Sequence, residues 1–313
     1  MPGIQLIQPN TKFAFMPRRV VFFIFSAFLI ATSLVLSMTR GLNFGIDFKG
    51  GIMIEVQTPE PADLSDMRAT LGSLGLGDVN LQDFGSPNDI LIRIQQQDGG
   101  DKAQQVAVTA VKEALGKGVK YRRTEFVGPK VSEELFLDGI YAVLAAMSAM
   151  LIYIWLRFEW QFGVCAVVAL LHDVISTIGI FSLLALEFNL STVAAVLTIA
   201  GYSINDTVVV FDRVRENLRR YKTMPLSELF NQSINETLSR TIMTSSTTLI
   251  ALIALYTLGG PIIRDFSFAM MWGILIGTYS SICLAVPLLL YMAIERRAGI
   301  SSSVKETAAE RAS

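Results

Sequence analysis

The sequence has few charged residues and no large excess of either sign. Of its 313 residues, 17% are charged and 52% are hydrophobic, the mean hydropathy is +0.49, and the formal net charge is −1. A soluble protein of this length needs more polar surface, so the composition indicates a membrane protein. Without a basic excess, we expect no nucleic-acid partner.

Residues that bind metals or form disulfides are also scarce. The chain has one histidine, His172, and two cysteines, Cys165 and Cys283, both within apolar runs. Cysteines in such runs are typical of small buried side chains, and two of them make neither a disulfide framework nor a metal site. The sequence contains no zinc-like cluster and no nucleotide-binding loop. We therefore expect no metal, no cofactor and no enzyme activity.

What the sequence has in abundance is long apolar runs. A membrane-spanning helix needs about 20 apolar residues, and six runs qualify, at 19–38, 136–156, 162–185, 190–211, 241–259 and 265–293. The first is too long for a typical signal-peptide core, and we interpret it as a retained anchor. The predicted organisation is a cytoplasmic segment at 1–18, a first helix at 19–38, a soluble insert at 39–135, five further helices within 136–297, and a disordered polar tail at 298–313.

Basic residues cluster at three places that share one side of the membrane if six helices cross it. The clusters precede the first span and follow the fourth and the sixth; they are Lys12, Arg18, Arg19, then Arg213, Arg215, Arg219, Arg220, Lys222, then Arg296 and Arg297. Because cytoplasmic loops carry an excess of lysine and arginine, both termini are expected in the cytoplasm. The insert is then expected on the outer side of the membrane.

The insert alternates strand and helix patterns in the order β-α-β-β-α-β. Strands are predicted at 51–58, 78–85, 89–95 and 119–128, and helices at 61–75, capped by Asp63, and at 101–116, ending at Gly116. The residues "SPN" at 86–88 are expected to form the turn of a hairpin. This order is that of a ferredoxin-like α+β fold. Nothing in the insert is typical of a catalytic site, and we interpret it as a docking domain.

A carboxylate deep in the fourth span is the strongest functional signal. Asp206, flanked by Asn205 and Thr207, is costly to place in a membrane helix, by roughly 2.5–3.5 kcal/mol on insertion scales. Such a residue is expected to be functional and to have a partner. We expect that partner to be Arg240, at the start of the fifth span. The alternatives are that Asp206 only joins two helices and that Arg240 reaches to the lipid headgroups.

Further polar residues near this carboxylate could support it. Thr241, Thr244 and Thr248 share one helix face with Arg240 and could hold water, or could merely bond back to their own helix. In the third span, His172 and Asp173 are adjacent, and neighbours on a helix point about 100° apart, which argues against a shared active site. They are expected to form a second proton-linked polar cluster or a contact between helices.

With these residues in view, the chain resembles the SecF family, the smaller membrane subunits of the bacterial SecD–SecF protein-export complex, within the resistance–nodulation–division (RND) transporters. The resemblance lies in four ordered motifs: "FGIDFKGG" at 44–51, "VGPKVSEEL" at 127–135, "LLHDV" at 170–174 and "GYSINDTVVVFDRVREN" at 201–217. Lys49 departs from the small or hydroxyl residue expected there.

The resemblance implies six membrane helices with a periplasmic ferredoxin-like domain, paired with a SecD-like subunit. The implied function is to use the proton gradient to help preproteins out of the SecYEG channel, and a YajC-like accessory subunit is a further possible partner. Asp206 and Arg240 match the family's acid in span four and arginine in span five. A half-transporter of this kind should contact its partner through helices that include span six, with Gly273 and Gly277 permitting close approach.

Other readings remain open at this point. An RND-type small-molecule exporter usually has two large outer domains and twelve spans in one chain, whereas this chain has one insert and six spans. An intramembrane aspartyl protease using Asp173 and Asp206 would leave Arg240 unexplained. A passive scaffold of the translocon, without proton transport, is compatible with the composition.

The orientation is directly testable with topology reporters. A reporter fused after Arg220 should behave as cytoplasmic, and one inserted within residues 76–78 of the insert as periplasmic, because the basic clusters are retained inside. Activity of a cytoplasmic reporter at 76–78 would overturn the orientation and the expected direction of proton flow.

Overall fold

A computed structural model describes residues 12–116 and 118–292 of the chain; the tail predicted to be disordered, 298–313, lies outside them. In chain order the elements are α1 (Arg19–Thr39), β1 (Asn43–Phe44), α2 (Ile46–Lys49), β2 (Gly51–Gln57), α3 (Leu64–Gly72), β3 (Val79–Phe84), β4 (Ser86–Ile94), α4 (Gly100–Leu115), β5 (Lys120–Val127), α5 (Pro129–Arg157), α6 (Trp160–Leu184), β6 (Glu187–Phe188), α7 (Leu190–Arg220), α8 (Leu226–Leu258), α9 (Pro261–Ser280) and α10 (Val286–Leu288). Six helices of this part of the chain are long and apolar enough to cross a membrane, as predicted.

Three of the six helices form the centre of the bundle. The most apolar stretch is 56% buried in α6, 56% in α7 and 72% in the last span, against 11%, 6% and 17% in the first span, α5 and α8. Most of span six is therefore interior to this chain, and its contact with a partner chain stays a prediction. Gly273 and Gly277 do permit close approach, but toward α7 of the same chain, where they face Ile199 and Ser203.

The last span is not a regular helix throughout. After α9 it widens into a π-helical turn, Ser281–Ala285, which leads into α10 and a short 3₁₀ turn, Leu289–Tyr291. Pro287 has no N–H, and its ring would collide with the carbonyl of Cys283 in a regular helix. A wider turn relieves that clash and also rotates the side chains that precede it.

Several helices extend beyond the predicted spans. Helix α5 begins at Pro129, α7 continues to Arg220, and α8 begins at Leu226. Arg240, expected at the start of the fifth span, therefore lies well inside α8. Hydropathy locates the apolar part of a helix, whereas the helix itself continues into amphipathic residues that pack on other parts of the protein.

The insert contains a four-stranded antiparallel sheet in the order β3-β4-β2-β5, with α3 and α4 on one face. The side chain of Asp63 caps α3 by accepting hydrogen bonds from the backbone N–H groups of Ser65 and Asp66, at 2.8 and 3.3 Å, as predicted. The "SPN" turn is wrong, because residues 86–88 belong to β4. The chain reverses at Gly85, whose φ of +88° is readily available only to glycine.

The insert is fastened to the N-terminal end of α7. Strand β1 pairs in parallel with β6, Arg93 of β4 forms an ion pair with Glu187, and Asp47 accepts a hydrogen bond from the backbone N–H of Leu190 at 2.9 Å. Four aromatic rings pack around the junction: Phe44, Phe48, Phe136 and Phe188. The domain outside the bundle thus contacts directly the helix that carries Asp206.

At the opposite end of the bundle, the residues before α1 bind to α8. Asn235 and Asn231 accept hydrogen bonds from the backbone N–H groups of Phe13 and Phe15, each at 2.8 Å, and both amides donate to the Phe13 carbonyl at 2.9 Å. The two asparagines are four residues apart and so lie on one face of α8. Their side-chain amides satisfy backbone groups of the N-terminal segment, as a neighbouring β-strand would.

Replacing Gly179 of α6 should destabilise the packing of α6 on α1. A Cβ at this position would lie 2.7 Å from the backbone Cα of Ser33, so the helices must separate. We expect Gly179→Ala to cost about 1–3 kcal/mol, measured as a lower thermal unfolding midpoint of the purified membrane complex. The matched control is Gly201→Ala in α7, where a Cβ meets no atom within 4 Å; equal loss in both variants would contradict the assignment.

The burial of Glu187 at the junction should make stability depend on pH. Burial raises the pKa of Glu187 above its ordinary value of 4.5, with Asp265 and Asp47 adding to the effect and Arg93 opposing it. Because the folded state then holds this proton more tightly than the unfolded state, stability should fall as the pH rises from about 4.5 through the raised pKa. Glu187→Gln should lack this component in thermal unfolding across a pH series. Parallel pH responses of both proteins would contradict it.

Candidate functional site

The site centres on Asp206, which α7 places in the middle of the bundle. Helix α7 starts with a capping box, in which Asn189 accepts from the backbone N–H of Thr192 and the Thr192 hydroxyl accepts in return. Asp206 follows sixteen residues after the first residue of the helix, about 24 Å along its axis. The residue is only 6% exposed. A carboxylate buried to this degree needs hydrogen-bond donors of its own.

Two hydroxyl groups from two different helical segments supply those donors. Thr241 of α8 donates to Oδ1 of Asp206 at 2.8 Å, and Ser281 of the π turn donates to Oδ2 at 2.7 Å. Each carboxylate oxygen therefore has one neutral donor. Hydroxyls can donate to a charged carboxylate and accept from a protonated one, so this environment accommodates both states.

Arg240 is not the direct partner of Asp206. Within the described chain the two form no ion pair, and Arg240 is exposed, although its charge is near enough to act on the carboxylate. Since neighbours on a helix point about 100° apart, the adjacent Thr241 faces Asp206 while Arg240 turns away. The predicted pairing is thus replaced, in this conformation, by a contact one residue later.

Apart from Thr241, the polar residues predicted to support Asp206 in spans four and five make no hydrogen bond to it in the described chain. Thr244 and Thr248 donate to carbonyls of their own helix, as does Thr247, so only Thr241 of the threonine face reaches Asp206. Asn205 is exposed and Thr207 is buried. Neither hydrogen-bonds to Asp206 among the residues described.

A second buried carboxylate lies at Asp173 of α6. Its Oδ1 lies 2.9 Å from Nδ1 of His172, and its Oδ2 accepts from Ser203 of α7 and, at 2.7 Å, from Ser280 of α9. Both His172 and Asp173 are 0% exposed. The two side chains do meet, contrary to the argument from helix geometry, because Cβ directions diverge while longer side chains can bend toward each other. The predicted polar contact between helices is present.

Sequence reasoning missed three serines that organise both carboxylates. Ser203, Ser280 and Ser281 resemble serines that bond back to their own helix, which are common in membrane segments. The usable signal was Pro287, because a proline inside a span disturbs the turn before it. Among the described residues, Asp173 and Asp206 share no direct hydrogen bond; the adjacent residues Ser280 and Ser281 of the last span connect them.

Two family models match most of the chain. The model for the C-terminal part of the protein export membrane proteins SecD/SecF matches residues 107–295, and the model for the SecD/SecF GG motif matches residues 35–59. The latter range covers β1, α2 and β2, the segment that joins the insert to α7.

The chain is similar over nearly its full length to several protein translocase subunits SecF. The subunit of Cereibacter sphaeroides is 48% identical over 302 residues, covering 94% of this chain and 93% of the relative. That of Magnetococcus marinus is 48% identical over 308 residues (97% and 99%), and that of Vibrio alginolyticus 42% identical over 308 residues (98% of each).

Two solved structures share the fold. The crystal structure of SecDF, a translocon-associated membrane protein from Thermus thermophilus, has a TM-score of 0.83 and 35% identity over 91% of this chain. A crystal structure of SecDF in a super-membrane-facing form has a TM-score of 0.66 and 34% identity over 96% of it. This chain spans only 39% and 40% of those longer chains.

Proposed function

The chain belongs to the SecD/SecF family of protein export membrane proteins, and from this premise we propose that it uses the proton gradient to promote late steps of preprotein translocation. It acts as a protein-transport subunit and not as an enzyme, and it needs no cofactor. Its location is the bacterial inner membrane, with both termini in the cytoplasm. The insert is a ferredoxin-like domain in the periplasm.

The observation that carries this proposal is the environment of Asp206. A structural carboxylate is best held by a fixed cation, whereas this one has a single neutral hydroxyl on each oxygen and an arginine nearby that is not paired with it. Asp206 takes up a proton when it faces Thr241 and Ser281, and releases it when Arg240 swings in. One charge crossing 100 mV is worth about 2.3 kcal/mol, enough to bias a conformational equilibrium more than tenfold.

A SecD-like subunit is the partner that completes the transporter. This chain covers about two fifths of the longer SecDF chain, and most of its exposed large apolar side chains lie on α1, α5, α6 and α8. Those helices supply the contact with the partner subunit and with membrane lipid. SecYEG, translocating preproteins and a YajC-like accessory subunit are the further partners.

Helix α7 transmits the conformational change from Asp206 to the insert. Asp206 lies on the helix whose first residues are bound by the insert through Asp47 and the Arg93–Glu187 pair. A shift of α7 that follows proton binding therefore moves the insert, without requiring a signal to pass through any flexible connection. The insert grips or releases the emerging polypeptide as it moves.

Asp206→Asn should abolish gradient-driven export while leaving assembly intact, because asparagine keeps hydrogen-bonding capacity but does not titrate. Export per assembled complex, measured with and without a proton gradient, should fall to the level seen without the subunit. Asp206→Glu should retain part of the activity, and Arg240→Lys should be intermediate, since lysine keeps the charge but loses the planar fork.

The matched control is Asp212→Asn on the same helix, where the carboxylate is exposed and paired with Arg157. It should export normally. Normal gradient-dependent export by Asp206→Asn would end the proton-carrier proposal and favour a passive scaffold. A lower amount of complex, with unchanged activity per complex, would assign Asp206 a purely structural role.

A further inference from the structure

The pair His172–Asp173 is buried, titratable and unused by the function proposed above. It lies in the centre of the bundle, with both side chains fully buried, and its Nε2 has no hydrogen-bond partner among the described residues. In the same part of the chain, Asp173 has no ion-pair partner other than His172. With a neutral histidine and an ionised aspartate the pair carries one net negative charge, and one added proton neutralises it.

Neutral groups from three helices surround the pair. Ser203 of α7 and Ser280 of α9 donate to Asp173. The ring of Tyr279 lies with its centroid 6.1 Å from that of His172, and its hydroxyl bonds with Ser26 of α1. The titratable groups around the pair are Tyr279, which contacts His172, Cys283, which lies near Tyr279, and Asp206, which is connected through the adjacent serines. None of them supplies a positive charge to hold Asp173 ionised.

Two adjacent serines connect this pair to Asp206. Ser280 donates to Asp173 and Ser281 to Asp206, each at 2.7 Å. On α7, Ser203 and Asp206 are three residues apart and so share one helix face. The two carboxylates are therefore joined twice, through neighbouring residues of the last span and through one turn of α7.

Each of these serines has an alternative acceptor on its own helix. The hydroxyl of Ser280 lies 3.1 Å from the carbonyl of Gly277, and that of Ser281 lies 3.0 Å from the carbonyl of Thr278. When a carboxylate gains a proton, the new carboxyl O–H donates to the serine oxygen, and the serine turns its own hydrogen to the carbonyl. One proton is added, one hydrogen bond reverses, and no backbone atom needs to move.

We propose that His172 and Asp173 form a second proton-binding site, which exchanges its proton in step with Asp206 through Ser280 and Ser281. The inference rests on the proposed function for its role in export, but not for its chemistry. Ser280 is the last residue of α9 and Ser281 the first of the π turn, and because consecutive residues diverge by about 100° they contact two different helices. Protonation of one carboxylate reverses its hydrogen bond with the serine. Because the two serines are adjacent, this reversal alters the hydrogen bond to the other carboxylate and so its proton affinity.

The alternative is that the cluster only joins helices, as polar groups in membrane proteins often do. A purely structural cluster would hold one protonation state over the whole working pH range. It would also be indifferent to whether Asp206 can titrate. These two properties distinguish a proton-binding site from a structural cluster without an export assay.

The single histidine of the chain makes the pair observable by itself. We would label the subunit with ¹⁵N-histidine, assemble it with an unlabelled partner subunit, without a histidine tag, in lipid nanodiscs, and record imidazole resonances from pH 5 to 9. Proton uptake is visible whether the proton rests on Nε2 or on Asp173, because the latter turns Nδ1 from donor to acceptor. Absence of any change over this range would overturn the proposal.

Coupling is tested with variants of the other site and of the connection. Asp206→Asn and Ser280→Ala should each displace the His172 midpoint by about one pH unit, roughly the effect of one hydrogen bond to a charged group. The control is Ser267→Ala, which removes a buried hydroxyl of the same span that has no partner in the described chain. Identical midpoints in wild type and Asp206→Asn would refute the coupling.

The outcome for export is read separately. His172→Gln retains hydrogen-bonding groups but cannot titrate near neutral pH, and should shift the pH profile of gradient-driven export while the complex assembles normally. If Asp206→Asn exports normally, the proposed function is wrong. The second proton-binding site is still tested independently, by the imidazole resonances of His172. If export by His172→Gln follows the wild-type pH profile, the second site has no part in transport.

Discussion

The interior of the bundle depends on supplying hydrogen-bond donors to two buried carboxylates. Asp173 and Asp206 lie on neighbouring central helices, and their donors are short hydroxyls from α7, α8 and the last span. A lysine or arginine would lock either group in its charged form. A hydroxyl stabilises that form and still permits the neutral one, so the packing of four helices is arranged around groups that remain free to change charge.

Short side chains impose a second requirement, which is that the helix backbones come close together. A serine reaches only a little beyond its own Cβ, so α7 and α9 must be almost in contact where Ser203 and Ser280 meet Asp173. Gly277 makes this possible, since a Cβ there would lie 3.2 Å from that of Ser203. Gly277 thus serves the polar network inside the chain, while Gly273 packs against the apolar Ile199.

Features that depend on local pattern could be predicted from the sequence, and features that depend on which helix faces which could not. The six apolar runs, the alternation of β2 and the cap at Asp63 are all encoded within a few residues. Ser281 cannot be told from other membrane serines until α7 is seen beside it. Arg240 was expected as the partner of Asp206 because hydropathy placed it at a helix end; in the folded chain its neighbour Thr241 has that role.

The attachment of the N-terminal segment to α8 constrains the order in which the chain can be completed during synthesis. The first membrane helix emerges from the ribosome early, but the asparagines that hold Phe13 and Phe15 follow 222 and 216 residues later. Until α8 has been made and inserted, the backbone N–H groups of Phe13 and Phe15 lack these two partners. The hydrogen bonds that fix the segment before the first span therefore form after the next three spans have been inserted, when α8, the fifth span, is in place.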